Sequence, residues 1–194
     1  PLPEVLTKMK GSVEGLPIPG NWHADIVEWG SALKAIDEAD TTFRAIEIGC
    51  GWGCWLNNLG VTAKRAGLEI DLIGIEGSAH HLKDAHRLLR LNGIEDTEAR
   101  LVHGVAAEKT DRALFPITGE GVYGAEPVFF PEPAQYTDLM ASGRYEELPT
   151  YTLAQLSEKH ILDLMHIDIQ GSELAFVDGN WNDISQLVRR VFIG

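Results

Sequence analysis

Glu47-Ile48-Gly49-Cys50-Gly51-Trp52-Gly53 is the stretch on which the fold turns. Before it, Arg44-Ala45-Ile46-Glu47-Ile48 reads as a short buried strand. After it, apolar residues at helical spacing predict a helix from about Gly53 to Arg65 that closes at Gly67. Three alternate glycines, Gly49, Gly51 and Gly53, let backbone approach a ligand where a Cβ would clash. In open α/β sheets ligands bind at the carboxyl edge of the strands, which is where this loop falls. A dinucleotide loop spaces its glycines G-x-G-x-x-G to admit a pyrophosphate at a helix N-terminus. The spacing here is G-x-G-x-G, with Glu47 two residues ahead of the first glycine. That acid is a poor neighbour for pyrophosphate and a reasonable one for a ligand carrying an ammonium and a sulfonium. A tight strand-to-helix turn that holds nothing is the plain alternative.

Working outward, Asp71–Glu76 predicts a second strand. Ser78 can cap a following helix that carries Leu82, Ala85, Leu88 and Leu89 on one face and ends at Asn92-Gly93. Arg100–Val105 predicts a third strand. Strands and helices alternating at this spacing predict an α/β fold with a mostly parallel sheet and helices on both faces. Upstream, residues 1–22 are rich in Pro and Gly, and Ile26, Trp29, Leu33 and Ile36 predict a helix over about Ala24 to Ala39. Downstream, Phe115 to Thr150 breaks the rhythm. It holds several Pro and Gly with Tyr123, Phe129, Phe130, Tyr136 and Tyr145, and is too long for a plain connection, so a functional or mobile insertion is expected. A short helix over Leu153–Lys159 then leads into a strand over Leu162–Ile169. A helical segment over Ser172–Val177 and a fifth strand over Leu187–Ile193 complete the chain. The division expected is 1–40, an N-terminal segment and helix packing near the ligand loop, and 41–194, the binding domain with its insertion at about 115–150.

Composition narrows the partners. The chain has 194 residues, enough for one domain with a sizeable core, and its formal net charge is −13. A chain this acidic repels phosphate backbones, so no nucleic-acid partner is expected. Cys50 and Cys54 are too close in sequence to staple anything useful, and no Cys/His spacing completes a zinc pattern. Buried thiols in a reducing cytoplasm are the simple reading. No apolar run spans a bilayer, so no membrane partner is expected, and Pro1-Leu2-Pro3-Glu4 is not a signal peptide. Both ends read as cuts through a longer polypeptide.

Three further groups carry chemistry. Glu76, at the end of the second strand, faces the first loop in such sheets and can accept two hydrogen bonds from a ribose diol; a nicotinamide enzyme uses the same acid. Gly77 and Ser78 follow it toward the ligand. Around the end of the fourth strand lies Asp163-x-x-His166-x-Asp168-x-Gln170-Gly171-x-Glu173, a polar cluster at the same edge. His166 and Asp168 share one face of that strand, so His166 reads equally as a core histidine, and Glu173 as an acid favouring the first turn of its helix. His23, in Asn21-Trp22-His23-Ala24-Asp25, is a third candidate base; a helix entry capped by Asn21 or Asp25 is its bland reading. No dedicated metal-ligand spacing is present; Asp168 with other carboxylates could hold a divalent ion, and no metal site is assigned.

The loop Glu47–Gly53 followed by Ile75-Glu76-Gly77-Ser78 resembles motifs I and II of class I S-adenosylmethionine (SAM) dependent methyltransferases. Leu162-Asp163-Leu164-Met165-His166-Ile167-Asp168-Ile169-Gln170-Gly171-Ser172-Glu173 resembles the hallmark of the FkbM family, usually close to D-x-x-K-I-D-x-E-G-x-E, and Leu148–Leu153 resembles the segment before it. The resemblance implies a Rossmann-like class I methyltransferase sheet, here stopping at the fifth strand. It implies SAM as cofactor, held by Glu47, Gly49, Gly51, Gly53, Glu76, Gly77 and Ser78. It further implies O-methylation of a hydroxyl on a sugar or other small natural-product-like acceptor; Asp168 matches the family's acid at that strand end, and Asp168, His166 and His23 are the candidate bases. His166 stands where Lys is usual and Gln170 where Glu is usual. A non-catalytic SAM-binding scaffold and, less in keeping with the loop, a nucleotide-dependent oxidoreductase are the rival functions.

Overall fold

The computed structural model describes residues 15, 18–20, 24–119 and 124–194. The main sheet has five parallel strands: β1 (Thr42–Ile48), β2 (Glu69–Glu76), β3 (Ala99–His103), β8 (Leu164–Ile167) and β9 (Val191–Ile193), ordered β3-β2-β1-β8-β9. Strand order therefore reverses between β1 and β8, and the crevice above that reversal is where such sheets bind ligands. Helices α1 (Ile26–Asp37), α2 (Cys54–Arg65) and α3 (Ala79–Leu91) lie in the first half. Between the halves come β4 (Val105–Ala106), β5 (Arg112–Pro116), β6 (Val128–Phe129), α4 (Pro133–Ala141), β7 (Tyr145–Tyr151) and α5 (Leu153–Ser157). Helices α6 (Glu173–Gly179) and α7 (Trp181–Leu187) link β8 to β9. This is the α/β fold with a mostly parallel sheet that the sequence predicts.

Alternation along the strands sorts the core into two layers. Phe43 and Ala45 of β1, Ile70 and Leu72 of β2, and Leu164 of β8 pack with Ala32, Ala35 and Ile36 of α1 and Trp55, Leu56 and Leu59 of α2. On the opposite face Ile46, Ile48, Ile73, Ile75, Met165 and Ile167 pack with Leu153 and Leu156 of α5, Phe176 of α6 and Ile184 of α7. Helix starts follow sequence chemistry. Asp25 Oδ1 accepts from Val27 N (2.8 Å) and Glu28 N (3.0 Å), while Glu28 Oε2 accepts from Asp25 N, a reciprocal capping box. Ser78 Oγ accepts from His81 N and caps α3.

Three expectations change. The buried face of α1 is built on Ala32, Ala35 and Ile36, whereas Ile26 and Leu33 are half exposed, because α1 lies close enough to α2 for small residues to fill the seam. The single strand expected over Arg100–Val105 is two: β3 pairs with β2, then the chain bends at Gly104, against the Tyr151 ring, and β4 pairs with β7. The expected insertion is largely regular. Strands β4-β7-β5-β6 form a second sheet, with β5 antiparallel to β7 and β6, around Val105, Ala113, Phe115 and Leu148.

Asp163 ties the layers together at the start of β8. Its buried carboxylate accepts from Arg44 N (2.8 Å) and from Arg189 Nη1 (2.7 Å), so one side chain joins β1, β8 and the entry to β9. Removing it leaves the half-buried Arg44 N–H without its acceptor. Asp163→Ala is expected to cost about 2–3 kcal/mol, lowering the Tm by roughly 5–10 °C for a domain of this size. A thermal melt within about 2 °C of the parent would remove this residue from the account.

Candidate active site

The carboxyl ends of β1, β2 and β8 open into a cleft with about 750 Å³ of empty space, its open mouth included. One side is backbone: Gly49 and Gly51 from the loop after β1, then Glu76, Gly77 and Ser78 from the end of β2. Asp168, Ile169 and Gln170 after β8 form another side. Val105 and Ala106 line it as well, and Phe115, Thr118 and Ala125 come from the second sheet and its loops.

The loop is shaped from below. Glu47 alternates with Phe43 and Ala45, so its side chain faces α2. There Oε2 accepts from Leu56 N (2.9 Å) and Oε1 from Trp55 N (3.3 Å), giving α2 the N-terminal acceptor that Gly53 lacks. Glu47 is buried beneath the loop and does not line the cleft. Burial pushes its carboxyl up to about 8. The Leu56 and Trp55 N–H groups oppose that rise, and Asp168 and Glu76 add to it. Gly49, Gly51 and Gly53 all have positive φ. At Gly49 no other residue fits, since a Cβ would collide with the Asp168 carbonyl oxygen. Gly53 packs against Ala85 of α3 and serves the helix entry rather than the cleft wall.

Glu76 joins the loop after β1 to the turn after β2. Its Oε2 accepts from Gly51 N (2.9 Å) and its Oε1 from Ser78 N (2.7 Å), with His81 Nδ1 3.7 Å away. Two N–H donors leave a carboxylate with lone-pair capacity for hydroxyls of a ligand. The Phe115 ring stands over Gly77, where a Cβ would lie 2.5–2.6 Å from ring carbons, and Thr118 Oγ1 donates to Ser78 Oγ (3.0 Å). The second sheet is thus part of the site.

Of the sequence-predicted site residues, Gly49, Gly51, Glu76, Gly77, Ser78 and Asp168 meet at the cleft; Glu47, Gly53 and His166 stand outside its lining. His23 lies outside the described residues, as do Asn21, Trp22 and Tyr123. His166 points from β8 into the α1–α2 layer. Its ring stacks on Phe192 (5.6 Å between centroids, 10° interplanar) and tilts against Trp55, and its Nε2 is 3.4 Å from Glu28 Oε1. Burial lowers its pKa, against the pull of Glu28, so it belongs to the packing of α1. Sequence reasoning missed His81, Phe115 and Thr118. His81 sat one turn beyond an identified cap. Phe115 and Thr118 sat in a segment whose strands pair only over long range. The aromatics of the insertion, Phe129, Phe130, Tyr136 and Tyr145, do not line the cleft. Among the described residues no cluster of three His, Cys, Asp or Glu side chains is placed to hold a metal ion, and no helix is long and apolar enough to cross a membrane.

Glu47 yields a pH test. Its folded pKa lies above its ordinary 4.5, so the folded state retains a proton that the unfolded chain has released. Stability from this group therefore falls as pH rises from about 4.5 to about 8 and is level beyond. Glu47→Gln has no proton to retain. Denaturant titrations from pH 5 to 8 are expected to show a downward slope in the parent that is shallower in the variant; parallel slopes would mean that Glu47 is ionised in the fold.

Comparison with known proteins places the chain. The family model described as the Methyltransferase FkbM domain matches residues 31–193. A curated protein of Jannaschia sp. (strain CCS1), named "Putative methyltransferase", is 52% identical over 195 residues, covering 100% of this chain and 70% of the relative. The crystal structure of the FkbM methyltransferase from Methylobacillus flagellatus KT shares the fold with a TM-score of 0.50 at 17% identity; the match covers 77% of this chain and 32% of that one, so the chain spans about a third of that protein. The chain belongs to the FkbM methyltransferase family.

Proposed function

We propose that the cleft binds SAM and that the chain directs methyl transfer to a hydroxyl of a small acceptor, a sugar or similar natural product. The observation that carries this reading is the pairing of the Gly49–Gly51 backbone and the Glu76 carboxylate on one side of the crevice with the exposed Asp168 carboxylate on the other. The residues present suit the cofactor. Glu76 has acceptor capacity for a ribose diol, Ile75, Val105, Ala106 and Phe115 offer apolar wall for a nucleobase, and the glycine loop leaves room for the rest. Bound there, SAM supplies a methyl group made electrophilic by its sulfonium. Transfer would join an acceptor oxygen to that carbon and break the carbon–sulfur bond, the bond pair staying on sulfur and the hydroxyl proton passing to a base on the protein. Alignment of donor and acceptor supplies much of the acceleration. Asp168, at the tip of β8 with its side chain on the cleft, is the residue placed to take the proton. The acidic lining, with Glu76 and Asp168 and no Lys or Arg among the described residues, favours neutral or cationic acceptors.

Two measurements test this reading. Calorimetry with SAM and S-adenosylhomocysteine is expected to show binding in the parent. Gly51→Asp is expected to bind at least tenfold more weakly, because the backbone at 51 is left-handed and its N–H donates to Glu76, so a second carboxylate enters a loop already beside one. Unchanged affinity in that variant would defeat the site, and NADH binding without SAM binding would favour an oxidoreductase. With labelled SAM and a panel of sugar and polyol hydroxyls, Asp168→Asn is expected to lower kcat by about 10²–10⁴ with SAM affinity retained. SAM binding with no transfer to any acceptor by the parent would favour a scaffold.

A further inference from the structure

The turn after β8 is fixed from several directions. Asp168 N donates to Ile48 O (2.9 Å), which joins the turn to the end of β1. Gln170 and Gly171 both have positive φ, 55° and 100°. For a glutamine that conformation is uncommon and persists where neighbours enforce it. Here the enforcing group is Glu173, whose carboxylate accepts from Ile169 N (3.1 Å) and from Gly171 N (2.9 and 3.1 Å). Glu173 thus secures the turn that precedes its helix. The left-handed backbone at 170 folds the Gln170 side chain back, and its Nε2 donates to Asp168 Oδ1 at 2.6 Å. Its Oε1 lies toward Gly124 across the cleft. Both residues line the cleft.

We propose that Gln170 is a positioning residue for Asp168, its amide fixing one carboxylate oxygen and leaving the other to accept the hydroxyl of the methyl acceptor. The acceptor half of this statement rests on the function proposed above; the amide–carboxylate pair does not. The residue type matters. A glutamate at 170 would set two carboxylates within hydrogen-bonding distance, and such a pair holds one proton between them. A glutamine donates to the carboxylate and keeps it an acceptor. The other titratable groups around Asp168 are Glu47 on β1, Glu76 on β2, His81 on α3, His166 on β8 and Glu173 on α6. Among the hydrogen bonds described, the Gln170 amide donates to this carboxylate.

The test reads the Asp168 carboxyl carbon by ¹³C NMR of the full chain at one fixed pH, assigned with Asp168→Asn. The variants are Gln170→Met, which keeps length and loses the donor, and Gln170→Glu, which replaces the donor with a second carboxylate. In both, the Asp168 carboxyl signal is expected to move from its parent position, and methyl transfer from labelled SAM is expected to fall in kcat by at least about tenfold. S-adenosylhomocysteine affinity, read by calorimetry, is expected to be unchanged in Gln170→Met. An Asp168 signal at the parent position in both variants would overturn the proposal. So would loss of S-adenosylhomocysteine binding in Gln170→Met, which would assign Gln170 to the donor site. Failure of the parent to bind S-adenosylhomocysteine would remove the proposed function, while the Asp168 signal would still decide whether Gln170 positions it.

Discussion

The site hangs on one buried carboxyl group. Glu47 ends β1 facing α2, and its two oxygens take the N–H groups of Trp55 and Leu56. Ordinarily a side chain at the N-cap meets that need, but the N-cap here is Gly53, in a left-handed conformation and without a side chain to offer. Supplying the acceptor from the strand instead allows the connection to be all backbone. Three positive-φ glycines then carry the chain over the end of β1, and the Gly51 N–H reaches the Glu76 carboxylate on β2. Burying an acid this deeply is costly, and the raised pKa of Glu47 expresses that cost.

From that constraint the cleft assembles in pieces that are remote in sequence. Reversal of strand order between β1 and β8 brings Asp168 beside Gly49, so tightly that no Cβ fits between them. The second sheet returns over β2 and lays Phe115 on Gly77 and Thr118 on Ser78. Donor-side groups thus come from the first βαβ units, the proposed base from β8, and the cover from the second sheet. The residues that depart from the usual FkbM pattern fall on two sides of the sheet. His166 is spent on α1 through Glu28, Trp55 and Phe192, while Gln170 stands in the cleft beside Asp168.

Much of this was legible because it is local. The run from Arg44 to Arg65 contains its own strand periodicity, glycine spacing and helix, and Ser78 and Asp25 announce their caps. Glu47 was visible as an acid near the loop, yet its target depends on which face of β1 it shares, and Phe43 and Ala45 put it toward α2. His166 follows the same parity through Leu164. The second sheet was hidden because its partners are far apart. Tyr145–Tyr151 buries only Leu148 and Thr150, too few to stand out, and its pairing with Arg112–Pro116 and with Val105–Ala106 is set by tertiary contact. Helix α1 misled in the opposite sense: its large apolar residues Ile26 and Leu33 are exposed while its alanines are buried.

The central claim is spatial: a nucleoside-bearing methyl donor lies between the glycine loop and Asp168. A crystal structure with S-adenosylhomocysteine tests it most directly. The predicted density crosses the ends of β1 and β2, with ribose hydroxyls on Glu76, the sulfur facing the Asp168 side of the cleft, and Glu47 still hidden beneath the loop. Density elsewhere, or a Glu47 side chain swung out to meet the ligand, would contradict that claim.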